Sequence, residues 1–179
     1  MRVYKLDSDV NNYKSIQLCD TVDSDYYQMF DGTRIKERWE TLEVKYYEED
    51  KELKVGDSPG FNIPVFSRKA LSVIYPMINN DVEILTFRLN DEVLYGINVV
   101  AVIDAIDYEQ SEYRMFSDGN RIMAFKKIMF RDDAIKGRNI FKTVDFPRGD
   151  IFVSEDIYNV ILNNHLEGFK LLLVYDNMI

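Results

Sequence analysis

The sequence predicts an α+β fold, a mainly antiparallel sheet carrying two or three short helices. Residues 42–46 and 82–89 alternate in side-chain character with the two-residue period of a half-buried strand. Turn dipeptides such as Asn90-Asp91 and Asp118-Gly119 join neighbouring segments directly, as hairpins do. Helical spacing is confined to a few short stretches that do not alternate regularly with strands, which argues against a parallel α/β sheet.

In chain order, Val3, Tyr4 and Leu6 open a strand. An Asp-rich stretch at 7–31, broken by Tyr26, Tyr27, Met29 and Phe30, reads as irregular surface structure with an aromatic anchor, and Asp31-Gly32 as a turn. Trp39 is the only tryptophan. Leu42, Val44 and Tyr46 then alternate with Glu43 and Lys45 as a strand. The charged run Glu48-Glu49-Asp50-Lys51-Glu52 and the loop Gly56-Asp57-Ser58-Pro59-Gly60 form the best linker candidate. Ser67 can cap a helix whose apolar face is Ala70, Leu71, Ile74, Tyr75 and Ile78. Pro76 should kink this helix or end it early.

Residues 92–111 form the most apolar continuous run and close on two carboxylates, Asp104 and Asp107. Residues 93–97 read as strand. Beyond them Val99, Val102, Ile103 and Ile106 fall at helical spacing and Asn98 can cap a helix, so periodicity leaves strand and helix both open. Residues 113–116 and 121–130 flank the strongest hairpin signal. A helical turn closed by Gly137, a strand at 140–144 and a short one at 151–153 follow. Ser154 caps a last helix, with Glu155 and Asp156 where the helix dipole favours negative charge and Ile157, Val160 and Ile161 as its buried stripe. The end, 169–175, reads as a well-buried strand.

A chain of 179 residues fits one domain, 1–179, with 1–60 as a candidate N-terminal lobe. A core of this size buries roughly 70% of the unfolded chain's surface, so neither disulfide nor metal is needed for stability. With one cysteine, Cys19, no internal disulfide can form, which fits a reducing compartment; a small, partly buried side chain is expected there. The N-terminus carries no secretory pattern, and no apolar run approaches the roughly 18–20 residues of a membrane span. The expected location is the cytoplasm. Net charge is −9, which disfavours nucleic acid and favours encounter with a basic protein surface. Only 114–148 is basic, and there the interleaved Phe116, Phe125, Phe130 and Phe141 are expected to face the core and the Lys and Arg to face water.

Catalytic constellations are sparse. The single histidine, His165, lies in a turn with no nucleophile motif beside it, and the Cys/His count excludes the usual zinc sites. Phosphate-binding glycine loops are absent. What remains is Asp104 and Asp107 with Glu109 and Glu112, since carboxylates alone can bind Mg²⁺ or divide acid and base roles. The plainer reading is that the two aspartates cap amides or pair with Arg.

The chain resembles the eleventh immunity-protein family of bacterial polymorphic toxin systems. The resemblance runs through Tyr4-Lys5-Leu6, Asp31-Gly32, Trp39 and Pro64-Val65-Phe66-Ser67-Arg68-Lys69-Ala70. Its centre is Asn98-Val99-Val100, Val102-Ile103-Asp104-Ala105-Ile106-Asp107 and Ser111. It continues through Ile140-Phe141-Lys142, Ile151-Phe152-Val153-Ser154 and Leu166-Glu167-Gly168-Phe169. It implies a cytoplasmic protein that binds and blocks a cognate toxin, without catalysis or cofactor. On this reading Trp39, Asn98, Asp104, Asp107, Ser111, Gly168 and Phe169 serve structure. The unmatched acidic segments, Asp20, Asp23 and Asp25 with Glu48, Glu49 and Asp50, are then the candidate toxin contacts, suited to a toxin with a basic surface. The alternatives are a carboxylate-dependent metal hydrolase using Asp104 and Asp107, and a generic adaptor protein.

Overall fold

Two five-stranded sheets share a helical layer in the computed structural model, which describes residues 1–19, 26–119 and 122–177. The first sheet runs β12-β1-β11-β10-β7, built from β1 (Arg2–Ser8), β7 (Val102–Ile103), β10 (Ile140–Thr143), β11 (Ile151–Ser154) and β12 (Phe169–Asp176). The second runs β2-β3-β5-β6-β4, from β2 (Ile16–Leu18), β3 (Leu42–Tyr46), β4 (Val65–Phe66), β5 (Val82–Leu89) and β6 (Glu92–Val99). The strands β8 (Glu112–Met115) and β9 (Ile122–Lys127) form a separate hairpin. The α+β class is as expected. Each large sheet contains one parallel pairing, β10 with β7 and β3 with β5, so both are mixed.

The helices form where the capping chemistry places them. Ser67 Oγ accepts from the Ala70 amide at 3.1 Å to start α1 (Arg68–Ile78), and Ser154 Oγ accepts from Ile157 at 3.4 Å to start α3 (Glu155–Asn163). A single turn, α2 (Asp132–Ile135), precedes Gly137, whose φ is +74°. Pro76 does not break α1. It stands in the last turn, and the helix runs through it to Ile78, because few bonds remain there to lose.

Helices α1 and α3 bury Ala70, Ile74, Ile78, Ile157 and Ile161 against Tyr4, Leu6, Ile97, Val99 and Val153, so one core spans strands of both sheets. A second core, with Phe30, Ile35, Val44, Val65, Leu85 and Phe87, fills the other face of the second sheet. A third, with Phe130, Ile135, Phe141, Phe152 and Tyr175, covers the other face of the first. The ambiguous stretch resolves as strand: β6 pairs with β5 from Glu92 to Val99. Residues 1–60 are distributed over both sheets, with β1 inside the first and β2 and β3 in the second.

Two expectations fail here. The loop at 56–60 is no linker: Ser58, Pro59 and Gly60 are buried, and the Asp57 and Ser58 amides donate to the Glu167 carbonyl at 2.8 and 3.2 Å. Strand β12 is not well buried. It lies at a sheet edge, and Leu172 and Leu173 are 57% and 46% exposed.

Candidate functional site

The carboxylates that close the apolar stretch turn to different partners. Asp104 leaves β7 on the surface and pairs with the Arg131 guanidinium at 3.1 Å, and the same guanidinium donates to the Asp104 carbonyl. Asp107 Oδ1 accepts from the Glu109 and Gln110 amides at 3.0 and 3.1 Å, and Oδ2 from the Gln110 side chain at 2.7 Å. This closes a turn at the chain's exit from the core. Ser111 Oγ donates to the Asp107 carbonyl at 2.6 Å and accepts from the Met129 amide at 2.9 Å, tying that turn to the segment after β9. Among the described residues, no group of three or more His, Cys, Asp and Glu is placed to hold a metal ion.

The other residues picked from the sequence are spread over the fold. Asn98 is 1% exposed and donates to the Thr33 carbonyl at 3.0 Å and to Glu83 Oε2 at 3.1 Å. Trp39 packs on Phe30 and Phe87 and donates from Nε1 to the Thr86 carbonyl at 3.1 Å. Gly168 has φ +84°, and a Cβ there would stand 2.9 Å from the Ser58 carbonyl oxygen, so a side chain is excluded twice. Phe169 packs its ring on Phe66 at 5.3 Å. His165 is an exposed turn residue with φ 49°. Cys19 is exposed rather than partly buried, because it follows the three-residue β2 out of the sheet margin.

Glu48, Glu49 and Asp50 lie fully on the surface, in the turn after β3. Glu48 holds a positive φ of 50° and pairs with Lys51 at 3.4 Å, while Lys14 donates to the Glu49 carbonyl at 2.9 Å. Three carboxylates in one exposed turn present a local negative field. Asp20, Asp23 and Asp25 lie outside the described residues.

Two buried charges escaped the sequence reading. Glu83, directly across from Asn98 in the β5–β6 ladder, accepts from the Ile35 and Lys36 amides at 2.7 and 3.3 Å. With Asn98 it clamps the 33–36 segment onto the second sheet. Lys142, in β10, is 3% exposed and donates to the Phe30 carbonyl at 2.6 Å. Burial pulls its pKa down to about 8, against a smaller opposing effect of Asp31. The basic segment 114–148 therefore follows its expected orientation only in part: Phe130 and Phe141 are buried, but so is Lys142, and Phe116 is 40% exposed. No sequence signal marks Lys142 as buried; for Glu83 the available hint is its place facing Asn98 across the Asn90-Asp91 turn.

Near the C-terminus Tyr175 donates to Asp132 at 2.7 Å, and Asn177 donates to both Asp132 oxygens. These bonds hold the Asp132 carboxyl below its usual range, and burial with the adjacent carboxylate pushes the Tyr175 hydroxyl up to about 12. The node fastens β12 to α2. No helix of the described residues is long and apolar enough to cross a membrane.

A protein-family model described as Immunity protein family (Imm11) matches residues 81–176, more than half of the chain. The matched region runs from β5 through β12 and includes Asn98, Asp104, Asp107, Ser111, Gly168 and Phe169, but not Trp39. No curated protein matches the sequence.

Proposed function

We propose, on the premise that the chain belongs to the immunity protein family Imm11, that it binds a cognate bacterial toxin and neutralises it through a protein–protein interface. Family membership carries the proposal. It acts by occlusion, in the cytoplasm of the cell it protects, without catalysis and without a cofactor. A tight complex of this kind buries a standard interface of roughly 1,600 Å² in total. The exposed turn with Glu48, Glu49 and Asp50 is the proposed first contact, because three carboxylates there attract a basic toxin face. The acids Asp20, Asp23 and Asp25 are proposed to add to that field. The family-shared Asp104, Asp107 and Ser111 are proposed to serve the fold. The partners of the two aspartates, Arg131 and backbone amides, support that role over a metal-hydrolase role.

Co-expression with a candidate cognate toxin tests the reading. The expected result is survival of the host cells and a complex that persists through gel filtration. Cell death together with two separate elution peaks would refute it for that pair.

A further inference from the structure

We propose that the groove between β9 and β12 is a docking site for an extended segment of the toxin in which apolar and acidic side chains alternate. This rests on the immunity reading above and names a surface through which it operates.

Both strands are edges. Among the described residues β9 pairs only with β8, and β12 only with β1. The outer rim of β12 therefore offers backbone N–H and C=O groups to an incoming strand. Edge strands are ordinarily short or guarded by charge. Strand β12 instead runs for eight residues and carries Leu171-Leu172-Leu173-Val174 in succession. A bulge at Val174 interrupts the ladder to β1, which resumes at Tyr175 and Asp176, so 169–173 is the longest regular stretch.

Between the two strands lies a groove of about 620 Å³. Phe125, Ile128, Phe146, Phe152, Leu172 and Leu173 give it an apolar lining. The neighbouring hairpin side chain Met123 is 47% exposed on the same surface. An apolar concavity beside a free strand edge is the geometry of strand addition, in which main-chain bonds supply affinity and pockets select alternate side chains.

Charge specifies the occupant. Three lysines line the groove, and Lys5 is already engaged by Asp150 at 2.6 Å. Lys126 and Lys127 are exposed and form no ion pair among the described residues. Lys127 stands across the β8–β9 ladder from Glu112 without an ion pair, and with Lys126 it gives the apolar groove a cationic rim that favours carboxylates in the occupant. The groove thus contacts a different part of the toxin from the acidic turn at 48–50, and the two surfaces can be altered separately.

Two measurements test the proposal. The first follows, by fluorescence anisotropy, a short peptide alternating valine and glutamate, with one alternating valine and lysine as control. The glutamate peptide should bind about tenfold more tightly or better, a difference of about 1.4 kcal/mol. The Leu172→Glu variant and the Lys126→Glu/Lys127→Glu double variant should each lose about tenfold in affinity for it. These side chains are exposed, so the variants should melt as the wild type does. Equal or absent binding of the two peptides, or undiminished binding by the variants, overturns the groove assignment.

The second measures protection against the candidate cognate toxin in cells. Protection by the wild type and loss of protection by the groove variants supports the proposal. Protection by all of them overturns the groove and leaves the immunity reading standing. Failure of the wild type itself overturns the immunity reading for that toxin, and with it the assignment of the groove to that toxin.

Discussion

Replacing Lys142 with methionine should change how stability responds to alkali. Lys142 is 3% exposed and its ammonium meets the Phe30 carbonyl at 2.6 Å. Burial moves its pKa from 10.5 down to about 8. The unfolded chain keeps this proton up to its ordinary pKa, whereas the folded chain releases it earlier. Between pH 8 and 10.5 the unfolded state therefore binds more protons, and stability rises with pH across that window. At about 1.36 kcal/mol per pKa unit, the rise is at most about 3 kcal/mol. Below the window both states carry the charge and the contribution is constant. In Lys142→Met the increment is absent, while the remaining groups titrate alike in both proteins and cancel in the difference. Urea unfolding across the window reads it directly: wild-type minus variant free energy should climb by roughly 2–3 kcal/mol. A flat difference would show that Lys142 is solvated, and would refute the reasoning that a buried amine holds the Phe30 segment onto β10.

Four further outcomes follow from the geometry. Asp107→Ala removes the acceptor of two exposed amides and should cost about 1 kcal/mol in thermal unfolding. Asp104→Ala, at an exposed ion pair, should stay within about 0.5 kcal/mol. Both should still protect against the toxin, and lost protection at unchanged melting temperature would give these carboxylates a direct role. Gly168→Ala, at φ +84° and against the Ser58 carbonyl, should destabilise by about 1–3 kcal/mol; an unchanged melting temperature would contradict the packing described. Charge reversal of Glu48, Glu49 and Asp50 to lysine should leave stability within about 0.5 kcal/mol. It should slow association with a basic toxin about tenfold or more at low salt, and less at high salt, in stopped-flow measurements. An unaltered rate removes that turn from the interface.

What was legible in the sequence was local. Ser67 and Ser154 announce their helices because a hydroxyl before an apolar stripe satisfies first-turn amides whatever surrounds it. The β5–β6 and β8–β9 hairpins are likewise written in their turns. The illegible features depend on distant neighbours. Strand β12 is apolar enough for a sheet centre, but its exposure follows from having, among the described residues, β1 alone beside it. Lys142 carries a solvent-type side chain, yet β10 is buried on both faces, and the lysine is tolerated because the Phe30 carbonyl, 112 residues away in sequence, accepts its proton. The parallel pairing of β3 with β5 joins strands separated by a loop, β4 and all of α1, which no periodicity encodes. For the site, the turn chemistry of Asp107 and Ser111 was within reach of sequence reasoning. The groove between β9 and β12 was not, since it exists only once the hairpin and the sheet edge are brought together.

Titration of a purified candidate cognate toxin with this protein, following the toxin's own activity, tests the central claim most directly. Neutralisation by occlusion predicts a linear fall of activity that reaches zero at molar equivalence, with the toxin recovered chemically intact from the complex. Full activity at saturating excess would contradict binding, and inactivation by a small fraction of an equivalent would show catalysis in place of occlusion.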